Sequence, residues 1–109
     1  MSTLRAFHDA TQEILRGHPM GTLRISDNPQ LYNKAENNGM LPVAGAVHLA
    51  LSPLPRSERF ALLTQLFHRP IASVKELYVY EAVAIVRANQ AGTLPTIISE
   101  VQCLTQPLS

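Results

Sequence analysis

The sequence predicts an all-α fold, a single compact domain over residues 1–109 with five or six helices around a central apolar helix at about 74–91. In several segments apolar residues recur at intervals of three and four, which is typical of helices with one buried face. Gly and Pro residues separate these segments. With 46% apolar and 16% charged residues, a chain of 109 residues has enough apolar material for one core.

The first helix is predicted from Thr3 to Arg16. Its apolar residues fall on one stripe, at Leu4, Phe7, Ile14 and Leu15. Ser2 or Thr3 can accept amide protons of the first turn, and Gly17 suits the left-handed conformation that ends many helices.

Two weaker segments follow the first helix. Met20–Ser26 alternates apolar and polar residues, which favours an extended connector, with a short strand at 22–26 as the alternative. Pro29 suits a first helical turn, so we expect a polar helix near Pro29–Asn37.

Two further helices are predicted in the middle of the chain. Pro42 opens a short helix that runs to Leu51 and is apolar on nearly all sides, so we expect it to lie inside. The next helix spans about Arg56–His68, and its apolar stripe consists of Phe60, Leu63, Leu66 and Phe67.

The central helix is predicted to begin at Val74 and to end at Gly92. Ser73 followed by Glu76 matches the capping box, in which each side chain accepts the other residue's amide proton. Apolar residues then occupy nearly every face, which is typical of a helix buried all round. Because Tyr and Val favour strands, a strand at 76–81 is the alternative, and either strand would make the fold α+β.

A last helix is predicted at about Pro95–Thr105, with Thr93 as its cap. Its apolar residues form one stripe, at Ile97, Ile98, Val101 and Leu104.

Composition and charge exclude several classes of protein. The formal charge is +1 with no block of like charge, so no global electrostatic partner is implied. Cys103 is the single cysteine and cannot form an internal disulfide, and residues 1–17 do not resemble a secretory signal, so we expect the cytoplasm. The apolar run Met40–Leu51 is shorter than the roughly 20 residues of a membrane span, and no membrane partner is expected.

Catalytic and metal-binding patterns are weak. The four histidines, His8, His18, His48 and His68, include no pair at helical spacing, and no Gly-rich loop or nucleophile turn occurs. We therefore expect no catalytic residue, no metal and no cofactor. A small enzyme that uses Asp9, Glu13 and His8 is the least favoured hypothesis.

A DNA-associated regulator is the alternative to a protein-binding function. The segment 56–81 resembles a helix-turn-helix, and its stretch Arg56–Lys75 carries four cations against one acid, Glu58. The predicted second helix opens with apolar and acidic residues, which are poor for base recognition. The candidate DNA contacts are Arg56, Arg59, Arg69 and Lys75.

The favoured hypothesis is a small non-enzymatic interaction or regulatory protein that acts by binding another protein. We expect it to form a homodimer. The charged fraction is below the usual value of about 25%, which leaves apolar surface for association. On a helix Tyr78 and Tyr80 point about 200° apart, so they cannot both enter one core face and one of them should reach its boundary. The candidate interface comprises Leu77, Tyr78, Tyr80, Glu81, Ala84 and Ile85.

Overall fold

The computed structural model describes residues 3–17, 23–33, 35 and 39–105. Five α-helices lie in these ranges: α1 (Thr3–Gly17), α2 (Val43–Ala50), α3 (Arg56–Phe67), α4 (Val79–Ala91) and α5 (Leu94–Thr105). Short 3-10 turns stand in the connections, at Ile25–Asp27, Pro29–Leu31 and Val74–Glu76. The described residues contain no strand, so the prediction of one compact all-α domain is confirmed.

The helix α4 is the centre of the fold, as the sequence predicts. It packs against α1 on one side and α2 on another, and α5 follows it after Gly92. Ala82 and Ile85 are completely buried. Gly92 has a φ of 79°, the left-handed conformation that a glycine adopts without strain. None of the helices in the described ranges is long and apolar enough to cross a membrane.

The start of α1 is capped from the far end of the chain. The amides of Thr3 and Leu4 donate to the two carboxylate oxygens of Glu100 on α5, the first at 3.1 Å. A carboxylate at this position satisfies unpaired amides and is favoured by the helix dipole. Ser2, the other predicted cap, lies outside the described residues.

The predicted start of the central helix at Val74 is wrong, because α4 begins at Val79. Ser73 Oγ accepts from the amide of Lys75 at 3.3 Å and Glu76 Oε2 accepts from the amide of Ala72 at 2.7 Å. These bonds close the 3-10 turn Val74–Glu76 and do not form the predicted capping box.

Backbone pairing explains the late start of α4. The amide of Ile25 donates to the Leu77 carbonyl at 3.0 Å, and the amide of Val79 donates to the Leu23 carbonyl at 2.9 Å. The two segments that could have been strands thus meet each other, but only as an isolated bridge between Arg24 and Tyr78. The α+β alternative is therefore wrong, although both segments are locally extended.

An ion pair between a buried carboxylate and a half-buried guanidinium fixes the first turn of α4. Glu81 is only 2% exposed, accepts from the amide of Tyr78 at 2.8 Å, and pairs through both carboxylate oxygens with the Arg69 guanidinium. Arg69 also donates to the Glu76 carbonyl at 3.3 Å and lies 4.9 Å from the centre of the Tyr78 ring. The hydrogen bond with Glu81 raises the pKa of Arg69. One side chain on α4 therefore orders the preceding loop.

The remaining predicted boundaries need smaller corrections. The polar helix expected at Pro29–Asn37 is a 3-10 turn at Pro29–Leu31, which Asn28 caps by accepting from the Gln30 amide at 3.0 Å. Its predicted end at Asn37 lies outside the described residues. Thr93 donates its hydroxyl proton to the Ala88 carbonyl at 3.3 Å and so serves the end of α4.

Removing the counter-ion of Glu81 should destabilise the fold. We expect Arg69→Met to lower the free energy of unfolding by about 2–3 kcal/mol, because it leaves a buried carboxylate unpaired. Adding Glu81→Gln should restore part of this loss, since a neutral amide needs no counter-ion and still accepts from Tyr78. Urea denaturation of the single and double variants measures both changes.

The matched control is Arg87→Met, a change of the same type at an exposed position of α4. It should change the free energy of unfolding by no more than about 0.5 kcal/mol. An equal loss in the Arg69 and Arg87 variants would contradict the assigned role of the ion pair.

Candidate functional site

An open groove of about 540 Å³ lies between α1 and α4 and reaches the start of α5. We call it the α1/α4 groove. Its volume is within the range of roughly 300–1,000 Å³ that ligand sites in proteins occupy. The residues that line it are Thr3, Ala6, Phe7, Ala10, Glu13, Ile14 and Gly17 on α1, Ala84, Arg87, Ala88 and Ala91 on α4, Thr93 directly before α5, and Ile97 on α5.

Small side chains keep the α1/α4 groove open. Ala6 and Ala10 stand one turn apart on α1, and Ala84 and Ala88 stand one turn apart on α4. Phe7, Ile14 and Ile97 are part of the buried core and also line the groove. Because no large side chain projects from these alanine positions, another apolar surface can approach the two helices closely.

Two charged residues of opposite sign line the α1/α4 groove. Glu13 lies on α1 and Arg87 lies on α4, and both are exposed. Within the described ranges, no ion pair joins either of them to another residue. Their charges are therefore available to a molecule bound in the groove.

The six residues of the predicted interface are mostly inside the chain. Four of them, Leu77, Glu81, Ala84 and Ile85, are no more than 4% exposed. Only Ala84 lines the groove.

The two tyrosines of that set, Tyr78 and Tyr80, are half-buried, and their rings stack with centroids 5.9 Å apart and planes 11° apart. The expectation that they point in opposite directions is wrong, because Tyr78 precedes α4 and is not helical. The two rings instead lie together at the start of that helix.

The four cations of the DNA hypothesis each have a local contact. Arg59 donates to the Leu54 carbonyl at 2.8 Å, and Arg69 pairs with Glu81. The other two lie over aromatic rings, Arg56 at 5.9 Å from the Phe60 centroid and Lys75 at 4.2 Å from the Tyr32 centroid. Because α4 begins at Val79, Lys75 is not on a second helix that could enter a groove of DNA.

The residues of the enzyme hypothesis do not converge in the α1/α4 groove. Glu13 lines it, whereas His8 and Asp9 do not. His8 instead stacks on His68 at the end of α3, with ring centroids 6.0 Å apart. Among the described residues, no group of three or more His, Cys, Asp or Glu side chains could hold a metal ion, and His18 lies outside them.

A second surface feature was missed by the sequence prediction. Met40, Leu41 and Leu49 are 73%, 58% and 64% exposed, and we call these three residues the α2 patch. The short helix expected to lie inside is therefore buried on one side only, through Ala44, Val47 and Ala50.

Comparison with known proteins does not point to a function. No protein-family model, no curated protein and no solved structure matches the chain. A function therefore has to be argued from the α1/α4 groove, the α2 patch and the charges beside them.

The stacked histidines should make stability depend on pH. Partial burial, followed by the charge of His68, lowers the pKa of His8 below its ordinary value of 6.5, against the opposing effect of Asp9. The unfolded chain then binds a proton more readily than the folded chain, so the free energy of unfolding should fall as the pH drops through about 6.5. Denaturation at a series of pH values measures this decline.

The variant His8→Phe keeps an aromatic ring and removes the titrating group, so its decline should be shallower than that of the unmodified protein. His48, whose pKa is also lowered by burial and by Arg59 and Arg56, is unchanged in both proteins and cancels in the comparison. Parallel pH curves for the two proteins would show that His8 contributes nothing.

Proposed function

We propose that this protein is a non-enzymatic interaction protein that binds an amphipathic helix in the α1/α4 groove. The observation that carries the proposal is the groove itself, an open apolar channel between two adjacent helices with alanines at successive turns. Recognition of a partner's helix in such a groove is a common mode of protein binding. A regulatory role, including one exercised as a homodimer, is part of this proposal.

The length of the groove favours a helix over a compact small molecule. Its lining on α1 extends from Thr3 to Gly17, which at 1.5 Å per residue is about 21 Å. About four turns of helix have this length. A long, open channel also buries a helix along its whole side, whereas a compact ligand would leave much of the lining in water.

The side chains of the groove favour an amphipathic helix in particular. Alanines permit close approach of a helix that carries large apolar side chains on one face. Glu13 and Arg87 can then pair with charges that flank this apolar face. Such exposed pairs add little affinity, and their main effect is to orient the bound helix.

Dye binding tests whether the groove accepts apolar molecules. Anilinonaphthalene sulfonate should fluoresce with the dilute protein, and Ala10→Trp should reduce this signal because a large ring fills the groove. A synthetic amphipathic peptide with leucines on one face should displace the dye. Fluorescence titration measures all three effects.

The matched controls separate the groove from the rest of the surface. Ala61→Trp places the same ring at an exposed position of α3 outside the groove and should leave dye binding unchanged. The same peptide with two central residues replaced by proline cannot form the helix and should not displace the dye. Equal displacement by both peptides, or equal signals from both Trp variants, would refute the proposal.

A further inference from the structure

The two walls of the α1/α4 groove carry opposite charges. Glu13 lies on α1, Arg87 lies on α4, and the remaining residues that line the groove are uncharged. Both residues are exposed, and within the described ranges no ion pair joins them to each other or to a third residue. The groove therefore has one acidic wall and one basic wall.

Other charged side chains of the three helices do not change this assignment. They stand outside the groove lining: Arg5, Asp9 and Arg16 on α1, Glu81 on α4, and Glu100 on α5. Glu81 is paired with Arg69, and Glu100 accepts from amides at the start of α1. A molecule in the groove therefore meets Glu13 on one side and Arg87 on the other.

The floor between the two walls is apolar. Phe7, Ile14 and Ile97 belong to the buried core, and alanines continue this surface on both helices. Burying a charged side chain of a partner on such a floor is costly, because no counter-ion is at hand there. The charges of a bound helix are therefore confined to the two edges at which it meets the walls.

The direction of a bound helix decides which of its edges faces which wall. A helix that lies with its apolar face on the floor presents one edge to α1 and the other edge to α4. Turning the helix end to end, with the same face on the floor, exchanges the two edges. A helix with unlike edges therefore distinguishes the two directions, whereas a helix with like edges meets one like charge in either direction.

We propose that the partner of the α1/α4 groove is an amphipathic helix with a basic edge and an acidic edge on the two sides of its apolar face. This inference rests on the proposed function and names the charge pattern of the helix that the groove binds. The basic edge lies along α1 beside Glu13, and the acidic edge lies along α4 beside Arg87. These two contacts set the direction in which the helix binds.

Three peptides with the same apolar face test the charge pattern. The first has lysines on one edge and glutamates on the other, the second has lysines on both edges, and the third has glutamates on both. At low ionic strength the first peptide should bind about fivefold more tightly than either of the others, since each of these meets one like charge. Fluorescence anisotropy of the labelled peptides measures the three affinities.

Two variants should change the order of these affinities. Arg87→Glu makes both walls acidic, so the peptide with two lysine edges should become the tightest of the three. Glu13→Lys makes both walls basic, so the peptide with two glutamate edges should become the tightest. Because the peptides are unchanged, differences in their own helicity do not cause such reversals. Arg16→Glu is the matched control, an equal change of charge outside the groove, and should keep the original order.

A spin label on Cys103 reports the direction of binding. Cys103 is the single cysteine of the chain and is exposed. It follows Glu100 by three residues on α5, and Glu100 accepts from the amide of Thr3 at 3.1 Å, so the label lies toward the Thr3 end of the groove. The label broadens the NMR signals of the peptide end that is close to it. Two peptides with unlike edges in opposite arrangement should therefore show broadening at opposite ends.

Other results would overturn the inference. Equal affinities of the three peptides, or the original order in the folded Arg87→Glu and Glu13→Lys variants, reject the charge pattern, and circular dichroism establishes that each variant is folded. Broadening of the same end in both arrangements of unlike edges rejects the role of the charges in direction. In these cases displacement of the dye by the helical leucine peptide leaves the proposed function standing, whereas failure of that displacement rejects the function itself.

Discussion

The buried carboxylate of Glu81 is the constraint on which the arrangement of this molecule depends. It accepts the amide proton of Tyr78 and pairs with Arg69, so it caps the first turn of α4 and holds the loop before it. A buried carboxylate is costly unless it is paired and hydrogen-bonded, and this geometry supplies both. With its start fixed, α4 holds α1 on one side and α2 on another, which positions the α1/α4 groove.

Helical periodicity was sufficient to predict most of the fold, because a helix with a buried face leaves its pattern in neighbouring residues. The bounds of α1, α3 and α5 agree with the prediction within about one residue, a difference common at helix ends. The start of α4 was predicted five residues early. Ser73 and Glu76 make the right local bonds for a turn, but pairing of Leu77 and Val79 with the chain near Ile25 keeps the backbone extended. This backbone pairing joins residues about fifty positions apart in the sequence, so no local sequence pattern predicts it.

The candidate site was harder to predict than the fold for the same reason. Ala84 belonged to the predicted interface, but the groove also needs Ala6 and Ala10, and nothing local indicates that α1 lies beside α4. Alanines favour helix formation in any helix, whereas here they also leave space between two helices. The exposure of Leu49 was missed because the short helix from Pro42 to Leu51, apolar on nearly all sides, was expected to lie inside. His8 and His68 likewise meet only through the packing of α1 on the end of α3.

The central claim is that the α1/α4 groove binds an amphipathic helix. Amide hydrogen exchange of the dilute protein, compared with and without the helical peptide, tests it most directly. The account predicts that the peptide increases protection in residues 6–13 and 84–91, with little change in α3. Protection confined to other parts of the chain, or no change in protection, would contradict it.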